Sequence, residues 1–358
     1  MKIGILTFPN SPSHGASLQM FALYKTLKKR GYDVEIINYL PSTVIHKRAK
    51  SAQKKNIKSI VTSMFVKSSA PAFKKFEEKT IKYPTTPIET TGQMEELAQR
   101  YDRIIVGSDQ VWNPVVTGGD TNYYLAFSQN FDQKASYAPS FGIDKVEEKD
   151  QKIVAELLNN IKYLCAREER GAEIIKELTG REVPVVIDPT MLLEKDEWEK
   201  EIVKVKLPRK KYVLFYNIKP SPALKAKAKA FAQKHGYKFV SIGGRLREFI
   251  FKKGVYPVSG IGPAEFLGLI SGAEYVFTNS FHGTALSIML EKNFYVEYSS
   301  DTNSRLTNIV KTFGLDSCVV GEKLLENDPV CVNYESVKKI LDEKRERAYE
   351  YLDGVVAE

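Results

Sequence analysis

The sequence predicts an α/β protein with two doubly wound, parallel sheets. Short apolar runs typical of buried strands alternate with segments whose apolar residues recur at helical spacing, as far as about residue 300. The chain has 358 residues, and single cores stop growing at roughly 250–300 residues. We therefore expect two domains, 1–195 and 196–332, followed by a C-terminal helix over 333–358.

The first domain begins with a predicted β-loop-α-β unit. A strand over 3–6 leads into a loop rich in Pro and Ser, and a helix over 16–27 follows that Gly31 ends. The next strand is predicted over 34–39. A unit of this kind implies parallel strands joined by a right-handed crossover.

The same alternation predicts the remaining elements of the first domain. They are short helices over 59–65 and 71–79, strands over 103–106 and 135–138, a helix over 147–159, a strand over 163–166, a helix that Gly180 closes, and a strand over 183–187. A charged stretch over 194–211 then separates the two domains.

The second domain repeats the pattern. Strands are predicted over 212–216, 238–242, 275–278 and 294–296, and helices over 221–235, 263–271 and 284–290. Beyond the second domain, a final helix is predicted over 334–352. Two such sheets predict a cleft, and ligands of these folds bind beyond the carboxyl ends of the strands. The loops after Leu6, Val106, Ala166 and Thr278 are therefore expected to carry the chemistry.

Composition excludes several classes of protein. The chain is 43% hydrophobic and 27% charged, as in ordinary globular domains, and no apolar run approaches the ~18 residues of a membrane helix. The N-terminus turns polar too early for a signal peptide. Its 3 cysteines form no C-x-x-C pair, so neither a zinc site nor a disulfide framework is supported. We expect a reduced, cytoplasmic protein.

The excess of positive charge is concentrated in one segment of the chain. The net charge is +9, and residues 41–76 alone contain nine basic and no acidic residues. This segment is interpreted either as a solvated face or as a surface that docks on an anionic membrane, peripheral to its inner face. Nucleic acid is not expected as a partner, because the segment has few aromatic residues for base stacking.

Familiar nucleotide and metal motifs are missing. The sequence contains no G-x-x-x-x-G-K-[ST], no G-x-G-x-x-G after a strand, no H-E-x-x-H and no G-x-S-x-G. ATP, nicotinamide and zinc chemistry are therefore unsupported, and we expect neither a cofactor nor a metal.

The segment T-N-S-F-H-G-T, which ends at Thr284, is the strongest candidate site. It lies between a predicted strand and helix, and Asn279 or Ser280 can cap that helix. Backbone N–H groups near Gly283 and the positive end of the helix dipole then form an anion site, with His282 beside it. The alternative is a capping loop with a structural histidine.

A second candidate, G-S-D-Q-V-W, follows the strand over 103–106. Asp109 is expected to act as a base toward a sugar hydroxyl, Trp112 to stack on a sugar face, and Ser108 and Gln110 to bind substrate. The alternative is an Asx turn with a packing tryptophan.

Further binding candidates lie at other helix starts. His14 and Gly15 open the first helix, where backbone N–H groups can approach a ligand; the alternative is a plain N-cap. Arg167 and Arg305 carry guanidinium groups that can hold a phosphate or carboxylate. Glutamates beside Arg167 can instead neutralise it, and Arg305 can instead be a surface cation.

Together these segments resemble the polysaccharide pyruvyl transferase family. The resemblance spans residues 3 to about 310 and rests on motifs that occur in the family's order. They are I-G-I-L-T-F, G-A-S-L-Q-M-F-A-L, I-V-G-S-D-Q-V-W-N, A-S-Y-A-P-S-F-G, A-R-E-E-R-G, V-I-D-P-T-M-L-L and S-F-H-G-T-A-L-S-I.

The resemblance implies a GT-B-like fold, in which two Rossmann-like domains face a cleft and the last helix packs on the first domain. The first domain would hold the acceptor and the second the donor. The implied activity is transfer of a pyruvyl group from phosphoenolpyruvate to a sugar or lipid-linked oligosaccharide of a cell-surface polysaccharide or its precursor, forming a ketal without a cofactor.

The resemblance also implies roles for particular residues. The family's histidine maps onto His282 as general acid/base, and we place Asp109 on the acceptor side. In many members an arginine two residues before that histidine holds the donor phosphate, whereas Ser280 stands here. Either Arg305 or Arg167 replaces that arginine, or the donor is not phosphoenolpyruvate.

Two other functions stay open. The same architecture suits a glycosyltransferase that uses a nucleotide sugar. The basic segment over 41–76 alternatively suits a non-enzymatic module that binds anions or a membrane surface.

Overall fold

The computed structural model describes residues 1–9, 11–41, 57–83, 87–207, 211–242, 255–298, 303–322 and 329–357. The chain forms two compact units. The first consists of Met1–Lys54, Glu77–Leu192 and Asp342–Glu358, and the second of Lys55–Phe76 and Leu193–Leu341.

Each unit is built on a parallel sheet. The strands are β1 (Lys2–Leu6), β2 (Asp33–Ile36), β3 (Arg103–Val106), β4 (Lys134–Ser136), β5 (Tyr212–Tyr216), β6 (Lys238–Ile242), β7 (Val255–Val258), β8 (Tyr275–Thr278) and β9 (Asn293–Val296). Their order is β2-β1-β3-β4 in the first unit and β7-β6-β5-β8-β9 in the second. Every pair is parallel, which confirms the predicted α/β fold class.

Helices connect these strands. They are α1 (His14–Lys29), α2 (Ile57–Thr80), α3 (Thr91–Ala98), α4 (Pro114–Thr117), α5 (Glu148–Asn159), α6 (Glu169–Thr179), α7 (Lys195–Glu199), α8 (Pro222–Lys234), α9 (Pro263–Ser271), α10 (Phe281–Met289), α11 (Asn303–Thr312) and α12 (Tyr334–Val356).

Two predictions for the first half of the chain are wrong. The short helices predicted over 59–65 and 71–79 are one helix, α2, which continues through Pro71. The segments 163–166 and 183–187, predicted as strands, make only isolated bridges. Pro184 lacks the N–H that a regular ladder needs, so pairing there does not extend beyond one residue.

The core of each unit lies on its sheet. In the first unit, Leu6 of β1 and Val106 of β3 pack with aromatic and aliphatic side chains from the flanking segments, among them Trp112, Phe141 and Leu158. The second unit has a core rich in aromatic rings, including Phe215, Phe231, Phe239, Phe277 and Tyr295. Buried apolar area of this kind is the main stabilising contribution to both units.

The last turns of α12 are fixed within the first unit. The Arg345 Nε donates a hydrogen bond to the Met191 carbonyl at 2.8 Å. The Tyr349 hydroxyl donates to the Leu192 carbonyl at 2.7 Å, and the Tyr351 hydroxyl to the Ser136 carbonyl at 2.9 Å. These bonds join the end of the chain to β4 and to the segment that follows Asp188.

The basic segment is only partly described. Residues 42–56, which include Lys47, Arg48 and Lys50, lie outside the described residues. None of the described helices has both the length and the apolar character that spanning a bilayer requires.

Candidate functional site

The loop after β3 is fastened to α1 by a buried glutamine. The Gln19 Nε2 donates to the Thr7 Oγ1 at 2.9 Å, and its Oε1 accepts from the Ser108 N–H at 3.1 Å. The Thr7 hydroxyl in turn donates to the Ser108 carbonyl at 3.1 Å. Sequence reasoning missed Gln19; the signal was a polar residue within an otherwise buried helix segment.

Behind this loop lies a buried ionic cluster centred on Arg167. Its Nη1 lies 2.9 Å from the Asp188 Oδ2 and 3.9 Å from the Asp109 Oδ1, and its Nε lies 3.6 Å from the Glu168 Oε2. Burial lowers the pKa of the guanidinium, but these three carboxylates raise it by more. Arg167 therefore stays cationic.

Arg167 contacts protein carboxylates and is almost fully buried. Its side chain is 1% exposed. This burial corrects the expectation that Arg167 binds a ligand directly. The alternative considered from the sequence, neutralisation by neighbouring acidic residues, agrees with the contacts, and Asp188 is the nearest of these residues. Its effect on a ligand would pass through Asp109.

Asp109 is the carboxylate of this cluster that reaches the surface. Its side chain is 14% exposed, and its Oδ1 accepts from the Gln110 N–H at 2.9 Å. Its backbone has φ of 75°, a left-handed conformation that aspartate tolerates better than most residues. Just before it, a Cβ on Gly107 would lie 2.2 Å from the Tyr137 carbonyl oxygen, so this approach requires glycine.

A pocket of about 310 Å³ opens beside Asp109 within the first unit. Its walls include three aromatic rings and several polar side chains, namely Phe8, Tyr39, Tyr123, Asp109, Gln110 and Thr117. Ser13 also contributes to the wall and caps α1 by accepting from the Ala16 N–H at 3.4 Å. His14 and Gly15 form the first turn of α1; His14 is half-buried and Gly15 is buried.

Trp112 lies in the core. It is 1% exposed, its ring stacks on Tyr124 with centroids 5.6 Å apart, and its indole N–H donates to the Tyr123 carbonyl at 3.0 Å. Both ring faces are covered, which corrects the expectation that Trp112 stacks on a sugar. It supports the wall of the pocket from behind.

In the second unit, the segment after β8 forms a helix start earlier than predicted. The Ser280 Oγ accepts from the Gly283 N–H at 3.2 Å, and α10 begins at Phe281. The helix predicted from residue 284 thus starts three residues sooner, directly after Ser280, which is one of the two predicted caps. His282 therefore lies in the first helical turn, where the dipole favours anions.

Asn279 fastens this helix start to the loop after β5. Its Oδ1 accepts from the Ile218 N–H at 2.9 Å, and its Nδ2 donates to the Lys219 carbonyl at 2.8 Å. A Cβ on Gly283 would lie 2.5 Å from the Thr278 Oγ1, so glycine permits the close approach of α10 to the strand end. The Thr284 Oγ1 donates to the Ser280 carbonyl at 3.1 Å.

His282 is 7% exposed, and its ring meets that of Phe281 edge-on with centroids 5.3 Å apart. Arg305 is half-buried in the first turn of α11, which packs against α10. The second unit therefore contains a histidine at a helix N-terminus and an arginine on the adjacent helix.

Among the residues that the structure describes, no group of three or more His, Cys, Asp or Glu side chains is arranged to bind a metal ion.

Comparison with known proteins identifies both a family and a fold. The model of the family described as polysaccharide pyruvyl transferase matches residues 14–301. No curated protein sequence matches the chain.

Several solved structures share the fold at low sequence identity. A putative UDP-N-acetylglucosamine 2-epimerase from Listeria monocytogenes has a TM-score of 0.54 at 11% identity, covering 99% of this chain and 90% of that one. An alpha-glucosyltransferase in complex with UDP and DNA has a TM-score of 0.53 at 11% identity, covering 99% and 95%. The UDP-GlcNAc 2-epimerase from Methanocaldococcus jannaschii has a TM-score of 0.51 at 14% identity, covering 96% and 92%. The fold is thus the GT-B fold of these enzymes.

Proposed function

The chain belongs to the polysaccharide pyruvyl transferase family, and on this premise we propose that it transfers a pyruvyl group from phosphoenolpyruvate to a sugar of a cell-surface polysaccharide or its precursor. The observation that carries the proposal is the helix start at α10, where Ser280 caps the helix and His282 lies in its first turn. Such a site suits a small donor with several negative charges beside a group that can move a proton.

The chemistry needs one acid and one base. A proton from His282 to C3 of phosphoenolpyruvate leaves C2 oxocarbenium-like, and a sugar hydroxyl adds to C2 as Asp109 accepts its proton. A second hydroxyl of the sugar then forms a second C–O bond at C2, and the bond from C2 to the phosphate oxygen breaks. The products are a cyclic ketal and inorganic phosphate, which carries away the remaining proton.

The donor phosphate needs a cation in place of the family's arginine. Ser280 occupies that position as the N-cap of α10, and Arg167 is engaged by Asp188 in the first unit. Arg305 on α11 is the remaining candidate of the two, and it lies in the same unit as His282. We therefore assign the phosphate to Arg305 together with the start of α10.

The test is release of phosphate from phosphoenolpyruvate by the purified chain. We expect release only when a suitable glycan or lipid-linked sugar is present, and little from phosphoenolpyruvate alone. Calorimetry measures donor binding in parallel. Absence of both donor binding and acceptor-dependent release across a broad panel would contradict the proposal.

Nucleotide-sugar transfer is a second candidate, favoured by the fold shared with an alpha-glucosyltransferase solved with UDP. It predicts that a nucleotide sugar raises the melting temperature while phosphoenolpyruvate does not. The converse result supports pyruvyl transfer.

We also propose a peripheral position at an anionic membrane, since residues 41–76 are basic and free of acidic side chains. Each basic residue near such a surface contributes about 1 kcal/mol, so changing Lys54 and Lys55 to Gln should weaken binding to anionic liposomes about tenfold or more. The exposed pair Lys338 and Lys339 on α12, changed in the same way, is the matched control. If both variants lose the same liposome affinity, the attraction is nonspecific and does not depend on residues 41–76. If the first variant binds liposomes as tightly as wild type, docking through this segment is contradicted.

A further inference from the structure

We propose, as an extension of the function above and resting on it, that Gln19 is a positioning residue for the transfer reaction. Its amide holds the loop after β3, and that loop sets where the Asp109 carboxylate meets the hydroxyl that reacts. Gln19 is 0% exposed, so it acts through Asp109 and not on the substrate.

The residue directly before Asp109 is held at its main chain and at its side chain. The Ser108 N–H donates to the Gln19 Oε1 at 3.1 Å, and its carbonyl accepts from the Thr7 Oγ1 at 3.1 Å. The Ser108 hydroxyl donates to the Ala138 carbonyl at 2.6 Å. Each polar group of Ser108 therefore has a partner within the protein.

Gln19 links two of these contacts into one network, formed by Gln19, Thr7 and Ser108. Its Nε2 donates to the Thr7 Oγ1 at 2.9 Å, and the same Thr7 hydroxyl donates to Ser108. Thr7 follows β1 and Ser108 comes shortly after β3, and these two strands pair in the sheet. A change at Gln19 thus reaches the N–H of Ser108 directly and its carbonyl through Thr7.

The Asp109 carboxylate follows its own main chain closely. Its Oδ1 accepts from the Gln110 N–H at 2.9 Å, a bond to the next residue that keeps the side chain against the loop. Its φ of 75° lies in a narrow allowed region of backbone conformation. A shift of Ser108 is therefore passed on to the carboxylate.

Position 19 is polar where stability alone favours an apolar residue. Residues 18–23 of α1 read L-Q-M-F-A-L, and all of them are buried. A buried amide must be hydrogen-bonded to avoid a desolvation cost, a requirement that a leucine would not have. Departures of this kind from the local pattern are expected near functional sites.

Gln133 offers a matched control in the same unit. It is also a buried glutamine, 6% exposed, and its amide also makes three hydrogen bonds within the protein. Its Nε2 donates to the Ala98 and Tyr101 carbonyls, and its Oε1 accepts from the Ser128 hydroxyl. These partners precede β3 and β4, whereas Asp109 follows the end of β3.

The test compares Gln19→Met with Gln133→Met, because methionine is unbranched and close to glutamine in length. Both changes should lower the urea midpoint of unfolding by similar amounts. Only Gln19→Met should lower kcat for acceptor-dependent phosphate release, by about 10–100-fold, since misplacement of a reacting group by about 1 Å can cost 10²-fold. Phosphoenolpyruvate binding, which the proposed function places in the second unit, should change less than twofold in both variants.

Thr7 supplies a second pair of variants. Thr7→Val removes the hydroxyl at nearly constant size and should lower kcat about tenfold, whereas Thr7→Ser keeps the hydroxyl and should retain at least half of the wild-type kcat. Because Gln19 and Thr7 act through one network, the combined Gln19→Met and Thr7→Val variant should lose less than the product of the two single losses. Circular dichroism checks that each variant is folded, and the Thr7 pair carries the test if Gln19→Met is not.

Amide hydrogen exchange gives a readout that needs no turnover. The Ser108 N–H should exchange at least tenfold faster in Gln19→Met than in Gln133→Met. Equal kcat in the two folded glutamine variants, equal exchange at Ser108, or equal losses in Thr7→Val and Thr7→Ser would each overturn the inference.

The exchange measurement also separates this inference from the proposed function. If wild type releases no phosphate from phosphoenolpyruvate with any acceptor, the pyruvyl transfer proposal fails. Exchange at Ser108 then decides whether Gln19 holds the loop that carries Asp109.

Discussion

Replacing His282 by glutamine is expected to lower kcat for phosphate release by about 10²–10⁴-fold, the usual contribution of a general acid or base. Glutamine approximates the size of the imidazole and keeps a hydrogen-bonding group, but it cannot deliver a proton to C3 of the donor. The substitution does not alter Ser280, the side chain that caps α10. We therefore expect donor affinity, measured by calorimetry, to change less than threefold.

The control for this prediction is His235→Gln. His235 is a histidine of the same unit at the end of α8, and its ring packs on Phe231 with centroids 4.4 Å apart. Turnover should be normal in this variant. Normal turnover in His282→Gln would instead assign proton transfer to another group, and a parallel loss of donor affinity would assign His282 to binding rather than to catalysis.

Replacing Arg167 by methionine is expected to destabilise the protein by about 3–5 kcal/mol, the range found when one partner of a buried ion pair is removed. The change leaves Asp188 and Glu168 buried without the cation that neutralises them, and their side chains are 0% and 3% exposed. Urea unfolding followed by circular dichroism measures the loss.

The neighbouring Arg170→Met is the matched control. Arg170 is partly exposed, and its guanidinium pairs with Glu173 at 2.8 Å and with Glu177 at 2.7 Å on the surface. Such exposed pairs contribute less than about 1 kcal/mol. If the prediction is wrong, Arg167→Met will not lower the free energy of unfolding more than Arg170→Met does. That result would show that the buried carboxylates do not depend on Arg167, and it would contradict a role of Arg167 in positioning Asp109.

Apolar patterning was sufficient to predict much of the fold. The strands over 212–216, 238–242 and 275–278 and the helix over 263–271 occur with the predicted bounds. Each is a short run bounded by turn residues or caps, for which pattern and length agree.

Elements with conflicting local signals were harder to predict. Strand β7 contains Pro257, which argues against a strand, yet β7 pairs only with β6 at the edge of its sheet, where a missing N–H is tolerated. Helix α11 was overlooked although Leu306, Ile309 and Val310 follow helical spacing. Its pattern was detectable from the sequence.

The predicted strand topology indicated where the candidate site residues lie in each sheet, but it did not predict their side-chain contacts. Asp109 and Ser280 follow parallel strands, so their positions at the sheet edges could be predicted. That Gln19 bonds to the Asp109 loop depends on residues 89 positions apart, which a single sequence does not reveal. Trp112 was misassigned because a tryptophan after a strand has the same pattern whether it packs inward or faces a ligand.

The first unit is assembled from three separate stretches of chain, the last of which begins at Asp342. Proteins are made from the N-terminus at a limited pace, and domains usually fold as units while synthesis proceeds. Here the bonds that Arg345, Tyr349 and Tyr351 make cannot form until every residue of the second unit has been translated. The nascent first unit therefore lacks its third stretch of chain until the second unit has been synthesised in full.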